Sequence, residues 1–173
     1  MRTTDPARIE DVHDPIGKLG WPKDKGRDGE RTPMQWDAGA NAGFTTGKPW
    51  LPIPPSAATY NVEVESKDDN SIFNTYKRLL TLRRSEPALR DGSYEAVDEG
   101  NEHVFSYLRK SGDETVLVAL NMSGQARTVS FQVGTSGEVM YRSPLGKMGL
   151  AAETVALKRV ELEPFGFVVV RVK

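Results

Sequence analysis

Proline is concentrated near the start of this chain, and that distribution limits the structures that the first third of the sequence can adopt. Eight of the 11 prolines fall within the first 55 residues, together with all three tryptophans, Trp21, Trp36 and Trp50. Proline lacks a backbone donor and fixes φ, so this stretch cannot form a run of helices or central strands. Its tryptophans argue against a disordered linker. We therefore predict a long ordered loop, and loops of this length inside compact domains usually carry function.

One amphipathic helix is predicted after the loop, from about residue 70 to residue 85. Apolar side chains recur there at helical spacing and form a single face, made of Ile72, Phe73, Tyr76, Leu79 and Leu80. Residues 68–70 are expected to supply the capping oxygens, and Pro87 is expected to end the helix. A single helix cannot hide such a face, so we expect it to need a partner surface. If that surface is absent, we expect self-association, exchange of a strand or helix between chains, or a repacked loop that covers the face.

The pattern changes to short strands from Gly92 onward. Seven strands are predicted, at residues 94–98, 103–109, 115–121, 127–133, 139–142, 154–163 and 165–172. Their regular spacing and polar turns favour an antiparallel sandwich over βαβ units. The predicted fold class is therefore mainly β, with a C-terminal antiparallel β-sandwich preceded by a long loop and one helix. The predicted boundaries are 1–67 for the loop, 68–91 for the helix and its connection, and 92–173 for the sandwich.

Length, charge and residue types exclude several classes of protein. A complete (β/α)8 barrel usually needs roughly 200 residues or more, and this chain has 173. The 23 basic and 24 acidic residues are balanced, so no binding to nucleic acid or to an anionic membrane is expected. Cysteine is absent, and the two histidines, His13 and His103, lie far apart in sequence. No metal site and no cofactor are therefore predicted.

The most informative string is KGRDGERTPMQWD at residues 25–37, followed by NAGFT at 41–45 and KPW at 48–50. Gly26 and Gly29 are expected to permit a sharp backbone path around Arg27. The guanidinium of Arg27 offers a planar fork of donors that suits vicinal hydroxyl groups or a carboxylate, and Arg31 follows four residues later. Taken alone, an Arg–Asp pair beside tryptophans is more often structural. The nearby acids Asp28, Glu30 and Asp37 are expected to balance the two arginines.

As a whole, this string closely resembles the segment that follows the eighth barrel strand in α-glucosidases of the α-amylase superfamily (glycoside hydrolase family 13). DDNSIFNTYKRLLTLRRSEPAL, at residues 68–89, resembles that family's eighth barrel helix. The β-rich remainder is similar to its domain C in length and position. The resemblance implies a leftover loop and helix of a (β/α)8 barrel, followed by domain C. It covers nearly the whole chain.

The resemblance also implies site residues. By analogy Arg27 reaches the glucose unit in the −1 subsite, and Arg31 shapes the pocket or its +1 side. The resemblance implies a retaining mechanism with an aspartate nucleophile and a glutamate acid/base on the middle strands of the barrel. Those strands would lie upstream of Met1. Retention needs two carboxyl groups about 5–5.5 Å apart. We therefore expect no catalytic residue in this chain and no activity of the chain by itself.

The expected partners are the missing barrel and, in the complete enzyme, an α-glucoside such as a malto- or isomalto-oligosaccharide. Trehalose synthases and sucrose isomerases share the loop, so it does not separate hydrolase from isomerase. A non-catalytic partner protein and a carbohydrate-binding sandwich are the alternatives. Against the latter, the predicted sandwich has no tryptophan, and its tyrosines and phenylalanines alternate as core residues would. A glycosylation motif, Asn121-Met-Ser123, is short and carries little weight.

Overall fold

A computed structural model describes residues 4–143 and 153–173, and the chain divides into two compact units between Asn74 and Thr75. The first unit consists largely of irregular backbone with short helical turns. Its α-helices are α1 (Pro15–Gly20) and α2 (Val62–Lys67), and its 3-10 turns are Ile9–Asp11, Asp28–Arg31, Ala40–Gly43 and Pro55–Ala58. Proline occupies the start of α1, where a missing N–H costs nothing. The prolines of this stretch therefore exclude long helices but permit short ones.

The predicted amphipathic helix is α3 (Ile72–Ser85), which begins two residues later than expected. The hydroxyl of Ser71 accepts the N–H of Asn74 at 3.0 Å and caps the start of the helix. Pro87 follows the end of α3, as predicted, but it also opens a further helix, α4 (Pro87–Asp91).

No helix within residues 4–143 and 153–173 combines the length and apolarity needed to cross a bilayer.

The second unit contains a β-sandwich of two antiparallel sheets. The strands are β1 (Ser93–Val97), β2 (Val104–Ser111), β3 (Glu114–Asn121), β4 (Arg127–Val129), β5 (Ser136–Arg142), β6 (Thr154–Ala156), β7 (Val160–Leu162) and β8 (Phe167–Val172). Six of them form one sheet in the order β1-β2-β3-β8-β5-β6, and β4 pairs with β7 in the other. Buried side chains from both sheets, including Leu117, Val168 and Leu162, form the inner core between them. The mainly β fold with a C-terminal antiparallel sandwich is confirmed.

The central strands of the large sheet are buried on both faces, which explains their continuous runs of apolar residues. Along β3, Leu117 and Ala119 point to the inner core, whereas Val116 and Val118 point to the opposite face. A second cluster covers that opposite face, and we call it the helix-side core. It contains Ala88 from α4 and receives Leu79 and Leu82 from α3. Helix α3 therefore packs on the outer face of the large sheet.

The predicted apolar face of α3 is only partly buried. Leu79 packs on the helix-side core, together with Leu82, which the predicted face did not include. The other four members of the predicted face remain exposed to solvent: Ile72, Phe73, Tyr76 and Leu80. The helix thus carries two apolar surfaces, one packed on the sheet and one without a partner in the described part of the chain.

The predicted strand 154–163 is wrong as a single strand. Its first part is β6, at the edge of the large sheet, and its second part is β7, in the small sheet. Leu157 lies at the change of direction and is fully buried in the inner core. Its N–H donates to the Thr135 carbonyl at 3.1 Å, and its own carbonyl accepts the N–H of Phe131 at 2.8 Å. Because Leu157 continues the alternating apolar pattern of a strand, the sequence gives no sign that the chain changes sheets here.

Asn121 is unsuited to glycosylation although it lies in a glycosylation motif. Its side chain is only 2% exposed. Its amide nitrogen donates to the carbonyls of Gln125 and Glu163, at 2.7 and 2.9 Å, and its amide oxygen accepts the N–H of Ser123 at 3.0 Å. The residue is therefore a structural bridge between two turns.

Candidate functional site

The segment that carries the two predicted substrate arginines lies against the start of α1. Gly26 has φ of +68°, and a Cβ there would come within 2.9 Å of the Asp14 side chain. Gly17 of α1 is equally restricted, since its Cβ would lie 2.4 Å from the Lys25 carbonyl oxygen. Both glycines permit a close backbone approach. Gly29 plays a different role from the one predicted, because it packs against Thr4 and Asp5 and is not among the residues with positive φ.

A buried carboxylate, Asp14, holds this approach together. Its side chain is 5% exposed. Its Oδ1 accepts the N–H of Ile16 at 2.9 Å and so caps α1. Its Oδ2 accepts the backbone N–H of Arg27 at 3.0 Å and lies 3.6 Å from Nη1 of Arg31. One carboxylate therefore contacts the helix start and both predicted substrate arginines.

The surroundings of Asp14 favour its charged form. The hydrogen bonds from the backbone N–H groups of Arg27 and Ile16, followed by the positive charges of Arg31 and Arg27, hold the pKa of Asp14 below its usual 3.8. Burial opposes this shift without reversing it. The site therefore contains a carboxylate that stays ionised at neutral pH and cannot act as a general acid.

A second buried carboxylate, Asp28, supports the first. Its side chain is 2% exposed. Its Oδ2 accepts the backbone N–H groups of His13 and Asp14, at 2.5 and 3.0 Å. The two aspartates therefore bind each other's segments reciprocally, and they join residues 13–16 to residues 27–28.

The two arginines differ in their freedom. The side chain of Arg31 is 44% exposed and pairs with Asp14. Arg27 is exposed, and within residues 4–143 and 153–173 its guanidinium makes neither a hydrogen bond nor an ion pair. Its backbone is fixed while its charged group remains free to bind a ligand.

We predicted that Asp28, Glu30 and Asp37 balance the charges of the two arginines. This prediction is wrong for Asp28 and Asp37. Asp28 accepts backbone N–H groups, and Asp37 Oδ1 accepts the N–H of Gly39 at 2.7 Å. The partner of Arg31 is Asp14, which lies outside the motif and was missed. An Asp-Pro pair at the start of a short apolar segment is a helix N-terminal signal, and it was the available indication of Asp14.

The tryptophans line the surface of the first unit rather than its interior. Trp36 and Trp50 are half exposed. Trp50 meets the ring of His13 edge-on, with centroids 6.4 Å apart, and the Lys25 amine lies 5.5 Å from the centroid of Trp21. Among the residues that the structure describes, no group of three or more His, Cys, Asp or Glu side chains is placed to hold a metal ion.

A row of exposed aromatic rings lies on the large sheet of the second unit. The rings of Tyr94 and Tyr107 are 5.3 Å apart, and those of Tyr107 and Phe105 are 5.5 Å apart. Tyr94 and Phe105 are half exposed, whereas Phe131 and Tyr141 are buried. The expectation that the aromatic residues of the sandwich alternate as core residues is therefore wrong for this row. Tyr107, the middle ring of the row, also packs against the helix-side core.

Known proteins resemble both parts of the chain. The family model for the α-amylase catalytic domain matches residues 2–92, and the model for the maltogenic amylase C-terminal domain matches residues 94–169. Probable oligo-1,6-glucosidase 3 of Bacillus subtilis is 33% identical over 152 residues, which are 88% of this chain and 24% of the relative. An oligo-1,6-glucosidase of Heyndrickxia coagulans is 45% identical over 107 residues, which are 62% of this chain and 19% of that protein.

Solved structures agree with this assignment. The trehalulose synthase of Pseudomonas mesoacidophila MX-45 matches with a TM-score of 0.79 and 30% identity, over 99% of this chain and 33% of that chain. The chain therefore spans about a third of that structure and about a quarter or less of the two curated relatives named above. A catalytic-domain model matching more than half of the chain, followed directly by a C-terminal-domain model, shows that the chain belongs to the α-amylase family (glycoside hydrolase family 13) and carries part of its catalytic domain together with its C-terminal domain.

Proposed function

We propose that this chain supplies the substrate-binding loop and domain C of a retaining α-glucosidase that acts on α-linked gluco-oligosaccharides, and that it is inactive by itself. The observation that carries the proposal is the state of Arg27. Its guanidinium is exposed and unpaired in the described part of the chain, on a backbone fixed by a buried carboxylate. A probable oligo-1,6-glucosidase is among the relatives, and its similarity extends over 88% of this chain.

An arginine in this state is suited to bind a sugar. Its planar fork of donors matches two oxygens of a hydroxyl pair or of a carboxylate. In the complete site we expect Arg27 to donate to a glucose hydroxyl beside an aspartate from the barrel. Arg31, restrained by Asp14, is expected to shape the wall of the pocket.

The proposed inactivity follows from what the two buried carboxylates already do. Hydrolysis with retention needs a nucleophile and an acid with a raised pKa, facing each other across the bond. Asp14 and Asp28 both accept backbone hydrogen bonds, and the pKa of Asp14 is lowered rather than raised. These two carboxylates therefore serve to hold backbone segments together, and the lowered pKa of Asp14 does not suit the role of the acid.

We further propose that a barrel segment covers the exposed face of α3, as the resemblance implies. Four large apolar side chains lie exposed on this one helix, which is unusual for a surface without a partner: Ile72, Phe73, Tyr76 and Leu80. The boundaries at residues 67/68 and 91/92 belong to the same proposal. The catalytic-domain model ends at residue 92 and the C-terminal-domain model begins at residue 94.

The test has two arms. The purified 173-residue chain is incubated with maltose, isomaltose, sucrose and p-nitrophenyl α-glucoside, and no release of glucose or nitrophenol above a heat-treated control is expected. In the complete enzyme, with a barrel segment joined to this chain, Arg27→Ala should lower kcat/KM by a factor equivalent to roughly 2–5 kcal/mol. Arg8→Ala is the matched control, because the ion pair that Arg8 forms in the described part of the chain is an exposed one with Asp11.

Two results would contradict the proposal. Turnover that copurifies with the chain through two columns would show that it contains its own catalytic groups. Unchanged kinetics of the Arg27 variant would show that this arginine does not bind substrate.

The exposed aromatic row supports a second candidate function, a non-catalytic carbohydrate-binding or partner-binding sandwich. Exposed aromatic rings on a sheet surface can bind the apolar faces of sugars or a partner's side chains. A glycan array probed with the whole chain tests this function, with Tyr94→Ala and Phe105→Ala as variants. Binding that both variants abolish would favour the second candidate over the first.

A further inference from the structure

We propose that Asp14 is a positioning residue for substrate binding, one that acts through Arg27 without touching the sugar. This inference rests on the proposed function, since it assumes that Arg27 binds substrate. The two proposals can be tested separately, because Arg27 could bind a sugar even if Asp14 had no part in positioning it. The claim is that this one buried carboxylate sets where the arginine's backbone lies and keeps the arginine's side chain available.

The contacts of Asp14 place it at the junction of three parts of the site. Its two oxygens reach the start of α1 through Ile16, the backbone of Arg27 and the guanidinium of Arg31. Any rotation of the carboxylate that improved one of these contacts would break another. Such a group has a single favourable orientation, and the arginine segment is held in the geometry that this orientation dictates.

The surroundings leave Asp14 little room to move. Its own N–H donates to Asp28 Oδ2 at 3.0 Å, and its side chain is 5% exposed. On the other side, a single methyl group on Gly26 would come within 2.9 Å of it. Because the carboxylate is fixed by its neighbours before any ligand arrives, the binding site is preorganised, and less entropy is lost when substrate binds.

Asp14 contacts the two arginines in different ways, and this gives them different roles. The side chain of Asp14 pairs with Arg31, whereas it holds Arg27 through the backbone N–H. Consequently Arg31 is restrained, and all donors of the Arg27 side chain remain open to substrate. A neutral asparagine at position 14 would keep nearly the same shape but lose the ion pair and weaken the bond to the Arg27 backbone.

A double-mutant cycle in the complete enzyme tests the proposal. Asp14→Asn, Arg27→Ala and the double variant are compared by kcat/KM for p-nitrophenyl α-glucoside. We expect Asp14→Asn alone to lower kcat/KM by about 10- to 100-fold, as small misplacements of binding groups do. In the Arg27→Ala background the same change should have little further effect, because the group through which Asp14 acts is gone. Asp11→Asn is the matched control, since the ion pair of Asp11 within residues 4–143 and 153–173 is the one with Arg8, at the surface.

The outcomes separate this inference from the proposed function. If Arg27→Ala leaves kcat/KM unchanged, the proposed function fails and the inference fails with it. If Arg27→Ala impairs the enzyme but Asp14→Asn has no effect, or has an equal effect in both backgrounds, the inference alone is overturned. An equal effect would indicate that Asp14 serves only the stability of the loop.

A measurement on the 173-residue chain needs no variant and covers the case in which Asp14→Asn fails to fold. The chain is labelled with 15N and 13C, and the Asp14 carboxyl carbon and the Arg27 amide proton are followed as pH is lowered. We expect both signals to change together, with a midpoint below 3.8, because the N–H bonds directly to the titrating oxygen. An Arg27 amide proton that does not respond to this titration would overturn the inference.

Discussion

Replacing Asp28 by alanine should destabilise the first unit by about 3 kcal/mol. The carboxylate accepts the backbone N–H groups of His13 and Asp14 at 2.5 and 3.0 Å, and it is almost completely buried. A hydrogen bond to a charged group contributes about 1.5–3 kcal/mol, so the two bonds together set an upper limit near 6 kcal/mol. Alanine leaves a space that water can enter, and a water molecule would recover part of the lost bonding. We therefore expect a loss close to the lower end of this range.

Tryptophan fluorescence reports this change selectively. Trp21, Trp36 and Trp50 all lie in the first unit, and the second unit contains none. Urea unfolding followed by this signal gives the free energy of unfolding of the first unit, while far-UV circular dichroism follows the strands of the second. Asp11→Ala, which removes the exposed pair that Asp11 forms with Arg8, should cost much less than Asp28→Ala. A similarly small cost for Asp28→Ala would refute the reasoning, because it would mean that Asp28 does not bind the two N–H groups in solution.

Three further predictions concern the second unit. Leu117 is fully buried in β3, and Leu117→Ala should lower the free energy of unfolding of the second unit by about 2–5 kcal/mol. Urea titrations followed by circular dichroism measure this loss. A loss below about 1 kcal/mol would contradict the assignment of the inner core. The hydrogen bond between the side chains of Glu86 and Glu114, then the Ala88 N–H and the charge of Arg171, hold the pKa of Glu114 below its usual 4.5. Its stabilising contribution is therefore complete above pH 4.5 and is lost as pH falls through the lowered pKa, so Glu114→Gln should flatten the acid-side fall of the urea midpoint; identical pH profiles would refute this. Leu80→Glu should reduce self-association of the chain in sedimentation experiments, because Leu80 belongs to the exposed face of α3; a wild-type chain that is strictly monomeric and binds no hydrophobic dye would contradict it.

Local patterns allowed much of the second unit to be predicted. Helix α3 was recognisable because apolar residues recur at helical spacing between a polar start and a proline. Strands β2 and β3 were recognisable because a Gly-Asp turn separates two runs rich in β-branched and aromatic residues. The motif around Arg27 was found as a string of letters, without any geometry. In each case the information lies within a short stretch of sequence.

What escaped prediction depends on contacts between distant residues. Nothing in the spacing of Asp14 and Asp28 indicates that each binds the other's segment, since both look like ordinary surface acids until the chain reverses at Gly26. The exposure of Tyr94 and Phe105 was missed for a related reason. An alternating pattern shows which residues share a face of a sheet, but it does not show how far the covering helices extend over that face.

The corner at Leu157 has a mechanical consequence for the sandwich. Strand β6 belongs to the large sheet and β7 to the small one, and only a few residues separate them. A force that pulls the two sheets apart therefore loads the covalent chain at Leu157, whose side chain is buried between them. For the two sheets to separate, the Leu157 side chain must first leave the inner core. We expect single-molecule stretching to show them yielding in one step, with the three-residue strands of the small sheet resisting far more load than their own few hydrogen bonds would bear.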